Sequence, residues 1–188
     1  MSRFQRVTAG FARTIERTIG RGGYTARFVM LAALLLASAP SAPALAERGP
    51  VTNLPIPRFV SLKVGEANAR RGPALTHRID WVFQHKSMPL EITAEHGHWR
   101  RVRDREGAGG WVHYALISGT RTILIDVPMA EIYARPVAGA PVVAKAQMGV
   151  VGRLGKCQPD WCRITVGGHR GWVRKATLWG VKPNEIRD

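Results

Sequence analysis

From Arg58 onward, apolar and polar residues alternate in short runs, and this pattern predicts strands rather than helices. Leu90-Glu91-Ile92-Thr93-Ala94-Glu95 switches with period two, as a half-buried strand does. Phe59–Val64 and Trp81–Phe83 are short and rich in β-formers, with Ala67–Arg70 and a Gly72-Pro73 turn region between them. His96-Gly97-His98 predicts a tight turn into a strand over Trp99–Arg103. A Gly-rich turn follows, then a strand over Gly110–Tyr114 and a single helical turn over Ala115–Ile117. The series then restarts. Thr122–Val127, Ile132–Arg135, Val142–Lys145 and Val150–Gly152 read as strands, with a loop from Pro136 to Pro141 and a hairpin tipped by Gln158-Pro159-Asp160. No window beyond the N-terminal region sustains a helical period. The expected fold class is all-β: two tandem small β-barrels, each with roughly five short strands in 60 residues.

The restart is a true internal repeat. Trp99-Arg100-Arg101-Val102, a turn and Gly110-Trp111-Val112 are matched by Trp161-Cys162-Arg163-Ile164, a turn and Gly171-Trp172-Val173. Trp111 and Trp172 stand 61 residues apart, as do Gly119 and Gly180. A repeat of that length is one small domain. The expected organisation is barrel 1 over 58–119 and a more divergent barrel 2 over 120–182. Only Gly119-Thr120-Arg121 separates them, so the barrels are expected to touch.

Residues 1–46 read as an export signal rather than as fold. Six arginines face one acid, Glu16, ahead of the apolar run Phe28–Ala39; Pro40 and Pro43 break the run, and the small-x-small site Ala44-Leu45-Ala46 follows. The run holds twelve residues, short of the roughly 20 that span a bilayer. Cleavage is expected between Ala46 and Glu47; an uncleaved anchor is the competing reading. No cysteine near the site offers lipid attachment, and no Arg-Arg pair precedes the run. Residues 47–57, with Pro50, Pro55 and Pro57, read as an extended linker.

Charge and cysteines narrow the function classes. The chain carries 28 basic and 13 acidic side chains; residues 47–188 keep 22 and 12, a net charge of +10. That balance implies anionic partners, and outside the cytoplasm these would be wall carboxylates, lipopolysaccharide or anionic lipid rather than nucleic acid. A solvated basic surface with no specific ligand fits the same numbers. Cys157 and Cys162 are the only cysteines. In an exported chain an even pair reads as a disulfide. A single C-x4-C lacks the four donors of a zinc site, and reversible redox chemistry ordinarily uses C-x-x-C.

Catalytic signatures are thin. His96 and His98 form an H-x-H pair with no third ligand at a useful spacing, so no metal is expected. Phosphate-loop, G-x-S-x-G and paired-carboxylate motifs are lacking, and no cofactor is expected. The stronger candidate is a face of aromatic and basic residues. Alternation puts Trp99, Arg101 and Arg103 on one side of a strand, with Val102 inward. Trp161 and Arg163 share the equivalent side, with Ile164 inward. A tryptophan plate beside a guanidinium fork suits a peptide stem or a sugar face. The competing reading is that each tryptophan caps its barrel under a stacked arginine. Arg100 falls on the inward side, so it must reach the rim or meet an acid such as Glu91, Asp104 or Glu106.

These motifs resemble a known family. Ala67-Asn68-Ala69-Arg70-Arg71-Gly72-Pro73 resembles the opening of bacterial SH3-like (SH3b) domains, Gly97-His98-Trp99-Arg100-Arg101-Val102 their central G-x-W-x-x-V, and Gly110-Trp111-Val112 their close. The form is similar to exported members of alphaproteobacterial type. Residues 122–180 match less well, because Pro136 and Val137 replace the Gly-Pro after Ala134-Arg135. The resemblance implies fold and an envelope location, most simply the periplasm. The function expected is a non-enzymatic binding or adaptor protein for peptidoglycan or an envelope protein. The alternative is an accessory subunit of a wall-remodelling hydrolase. A third, weaker reading makes the chain itself a hydrolase. The oligomeric state is left open.

Overall fold

The computed structural model describes residues 47–188; the expected signal peptide over 1–46 lies outside the described residues. The regular structure among the described residues is nearly all strand. The first module runs β1 (Arg58–Leu62), β2 (Ala67–Arg70), β3 (Ile79–Phe83), β4 (Pro89–His96), β5 (Trp99–Arg103), β6 (Gly109–His113), a 3-10 turn (Tyr114–Leu116) and β7 (Ile117–Ser118). The second runs β8 (Thr122–Ile125), β9 (Met129–Tyr133), β10 (Val142–Gln147), β11 (Val151–Cys157), β12 (Trp161–Val166), β13 (His169–Arg174), a 3-10 turn (Lys175–Thr177) and β14 (Leu178–Trp179). The sheet orders, β3-β2-β6-β5-β4-β1-β7 and β10-β9-β13-β12-β11-β8-β14, correspond strand for strand. Two tandem all-β barrels are therefore present.

Each sheet curls round its own core. Leu62, Ala69, Phe83, Leu90, Ile92, Val102 and Val112 fill the first, and Ile123, Ile125, Ile132, Leu154, Ile164 and Val173 the second. Fully burying a side chain of this size is worth about 1.5–3 kcal/mol, so these few positions dominate stability. Val102 and Ile164 point inward on β5 and β12, as alternation requires.

One shared irregularity shapes both barrels. The β4–β5 register shifts between Ile92 and Ala94, and the β11–β12 register between Leu154 and Cys157. A bulge of this kind swaps the faces of the residues beyond it. Glu95 consequently turns inward opposite Arg100, and Cys157 inward opposite Cys162. Arg100 therefore meets Glu95 (Nε to Oε1, 3.6 Å), not Glu91, Asp104 or Glu106. It also donates from Nη1 to the carbonyls of Gly97 and Trp99, both at 2.8 Å. In the second barrel the two sulfurs are bonded at 2.04 Å, as the sequence suggests.

The linker reading of residues 47–57 is corrected. This segment folds back on itself, with Arg48 bridged to Pro55, and packs on the first barrel. Ile56 enters that barrel's core. Glu95 anchors the rest. Its carboxylate accepts from the Val51 amide (3.1 Å), the Thr52 amide (2.8 Å), the Thr52 hydroxyl (2.6 Å) and Arg58 Nη2 (2.6 Å). Burial would push this carboxyl's pKa up. The bonds from Thr52, Arg58 and Val51 outweigh burial and hold it at about 2. The prolines limit the unfolded chain as a linker would, but the carboxylate supplies a reason to stay put.

The second barrel is tied likewise by the C-terminal end, beyond its expected limit at residue 182. Cys157 and Arg187 exchange backbone hydrogen bonds of 2.7 and 3.1 Å. Buried Lys175 donates to the carbonyls of Pro183 (3.1 Å) and Glu185 (2.8 Å). Arg121 grips the Glu185 carboxylate at 2.8 and 3.0 Å. Burial raises the Glu185 pKa, but Arg121 and the Lys182 amide lower it further, and the net shift is downward.

Side chains from both barrels meet at the joint. Phe59 on β1 and Trp179 on β14 pack edge-to-face, 5.2 Å between centroids. Arg121 lies 5.7 Å over the Phe59 ring, and Arg105 pairs with Asp126. Gly180, just after β14, sits at φ 104°, and a Cβ there would come 2.7 Å from the Thr122 carbonyl. Only glycine fits that corner.

Candidate binding face

The outward side of β5 is as alternation predicts: Trp99 is partly exposed, and Arg101 and Arg103 are exposed. The hairpin register then adds partners from β6. Trp99 stands opposite His113, Arg101 opposite Trp111, and Arg103 opposite Gly109. On its other side Trp111 faces Arg70 of β2. Residues directly opposite on neighbouring strands share a face, so Trp111 lies flanked by two arginines. Beside it is a shallow depression of about 400 Å3, rimmed by Thr93, Arg101 and Arg103 and floored by Gly109 and Gly110. The floor is bare by necessity, because a Cβ at Gly110 would meet the Arg70 carbonyl at 2.6 Å.

The arginines of this face are not equivalent. Arg103 is bound to Glu91 at 2.6 Å. Arg70 donates to the His77 carbonyl at 2.7 Å. Arg101 makes no side-chain ion pair among the described residues. Among the described residues no arginine stacks over Trp99; its ring meets His113 edge-on at 5.7 Å. His98, His113 and Tyr114 extend that aromatic cluster, with His98–Tyr114 at 5.5 Å and His113–Tyr114 at 4.9 Å. His96 and His98 are exposed, and among the described residues no three His, Cys, Asp or Glu side chains gather as a metal ion needs.

The second barrel repeats the geometry with different substituents. Arg163 stands opposite Trp172, which faces Tyr133 on its far side. Trp161 stands opposite Arg174, whose guanidinium lies 4.2 Å over the indole. Tyr133 closes the edge of Trp161 at 5.5 Å. Trp161 is thus buried, 7% exposed, and offers no open plate. The stacked arginine is Arg174, not Arg163. The Tyr133 hydroxyl donates to Glu131 at 2.7 Å, which raises the tyrosine pKa and lowers the carboxylate's. Lys145 holds the same carboxylate at 3.2 Å.

Trp111 and Trp172 are therefore the central aromatic residues of the two faces. In the sequence they mark the repeat and do not fall among the expected contact residues. Pairing each hairpin about its turn would have found them, because that pairing sets Trp111 against Arg101 and Trp172 against Arg163.

Comparison with known proteins supplies one family. The family model described as bacterial SH3 domain matches twice, over residues 63–119 and 126–180. No curated protein matches the chain. Among solved structures, NlpC2 from Trichomonas vaginalis is 15% identical with a TM-score of 0.31, over 65% of this chain and 48% of that one. NlpC1 from the same organism is 15% identical with a TM-score of 0.31, over 73% of this chain and 51% of that one. The matches span about half the length of those two proteins.

Proposed function

Since the chain belongs to the bacterial SH3 domain family, carrying two copies in tandem, we propose that it is an exported binding or adaptor protein of the cell envelope. It has no catalytic activity of its own and engages peptidoglycan or another envelope protein. The observation that carries this reading is the repeated pair on the outward faces: Arg101 opposite Trp111 and Arg163 opposite Trp172. An indole beside a guanidinium meets a ligand with an apolar surface and a carboxylate, and wall material has both. The basic chain reinforces the attraction at low ionic strength. A disulfide and the basic-apolar-small N-terminus favour a periplasmic site of action.

The test is retention on purified sacculi. The mature protein is expected to sediment with them at low salt and to be released as salt rises. The Arg101→Gln, Arg163→Gln double variant should be retained less while melting at the same temperature. No sedimentation of the unmodified protein at low salt would overturn the wall-binding reading.

A further inference from the structure

The second barrel carries a charge pattern that the first does not. Strands β11, β12 and β13 hold no aspartate or glutamate. Their register lays out Arg153 opposite Thr165 and Thr165 opposite Arg170, a row across three strands with an exposed arginine at each end. Neighbouring strands lie about 4.8 Å apart, so the two arginine backbones are about 10 Å apart. The next row is Arg163–Trp172–Tyr133, and the next Trp161–Arg174. Arg163, Arg170 and Arg174 are thus neighbours of Trp172 on the sheet, with the Arg174 guanidinium over Trp161, and Arg153 stands one strand further out, four arginines on one face. None of the four forms an ion pair among the described residues. The nearest acid on a flanking strand, Glu131, is already occupied by Tyr133 and Lys145. In the first barrel, by contrast, Glu91 and Glu95 neutralise Arg103 and Arg100.

Like charges set close together on a sheet repel, and folding gains nothing from them. A partner with anions at intervals and an apolar ring between them would relieve the repulsion and cover Trp172. We infer that the outward face of β11–β13 binds an acidic glycan, its carboxylates on Arg153, Arg163 and Arg170 and a sugar ring against Trp172. The choice of glycan rests on the envelope reading above, which places the protein among carbohydrates rather than nucleic acids. The indole is half-buried at the level of the sheet, which suits stacking and does not suit insertion into a bilayer.

The experiment uses the full mature chain and three probes: polygalacturonate, neutral dextran and phosphatidylglycerol vesicles. Polygalacturonate should bind at low salt and dextran should not. Arg153→Gln with Arg170→Gln should weaken polygalacturonate binding at least tenfold without lowering the melting temperature. Arg153→Lys with Arg170→Lys should recover part of the loss. Lys63→Gln with Lys86→Gln, an equal change of net charge at exposed first-barrel sites, should change binding less than twofold. Equal losses from the two glutamine pairs would reduce the effect to overall charge and overturn the inference. So would vesicle binding stronger than polygalacturonate binding. Sacculus retention without polygalacturonate binding sinks this inference and spares the wall reading; polygalacturonate binding without sacculus retention does the reverse.

Discussion

Glu95 lies directly across its hairpin from Arg100, in the place where the second barrel has Cys157 across from Cys162. Both pairs follow a bulge, close a turn and lie buried. An ion pair at such a position needs every remaining donor and acceptor satisfied, since buried charge is costly when unpaired. The first barrel answers most of that demand with Thr52, Val51 and Arg58 on the carboxylate and with two carbonyls on the guanidinium, while Arg58 Nη1 stays buried without a partner among the described residues. The second barrel avoids it with a covalent bond.

Acid should loosen the first barrel through Glu95. Its folded pKa, about 2, lies below the ordinary value of 4.5. A depressed carboxyl contributes stability in full above the ordinary value and loses it as pH falls toward the folded one. The contribution is roughly 3 kcal/mol. Urea unfolding between pH 7 and pH 2.5 should show this loss in the unmodified protein and a shallower one in Glu95→Gln. Parallel curves would show that the carboxylate is not held low.

Reduction should loosen the second barrel. A loop of this length, cross-linked, is worth roughly 2 kcal/mol by loop entropy. Cys157→Ser with Cys162→Ser should therefore shift the urea midpoint downward to match protein treated with reductant. Intact mass under non-reducing conditions should lie two protons below the reduced form. Two thiols open to alkylation in the native protein would contradict the bond.

The two equivalent tryptophans should separate in stability. Trp161 is buried between Arg174 and Tyr133, so Trp161→Ala should cost about 3–5 kcal/mol. Trp99 is partly exposed and touches chiefly His113, so Trp99→Ala should cost roughly 1–2 kcal/mol. Chemical denaturation of both variants measures the gap. Equal costs would mean that the exposed edge of Trp99 does not matter to its packing.

Period-two alternation and β-forming composition locate the strands, because each barrel has one wet and one dry side, but they clip two of them: β11 runs on to Cys157, past the expected end at Gly152, and β9 starts at Met129, ahead of Ile132. The same rule misplaced Arg100's partner. Alternation along Leu90–Glu95 puts Glu95 outward with Glu91, but the bulge after Ile92 turns it inward. A bulge inserts one residue without a distinct composition, so the pattern conceals it. Residues 47–57 differ from the linker expectation for a related reason. Three prolines describe the stiffness of that stretch, while its attachment depends on a carboxylate more than 40 positions away. The outward side of Trp99, Arg101 and Arg163 is legible in the sequence because it needs only one strand. Trp111 and Trp172 need two strands paired about a turn, and the Arg153–Thr165–Arg170 row needs three in register.

The Phe59–Trp179 contact bears on how portable these barrels are. Phe59 belongs to the first strand of one barrel and Trp179 to the last strand of the other. A gene cut at the three-residue joint would part them although neither is near the cut. Each half would inherit a bare aromatic ring, and the second half would also carry Arg121 without the Phe59 ring beneath it. Transplanting one barrel into a new host protein would thus require polar replacements at these positions. The pair is better shuffled as a single cassette.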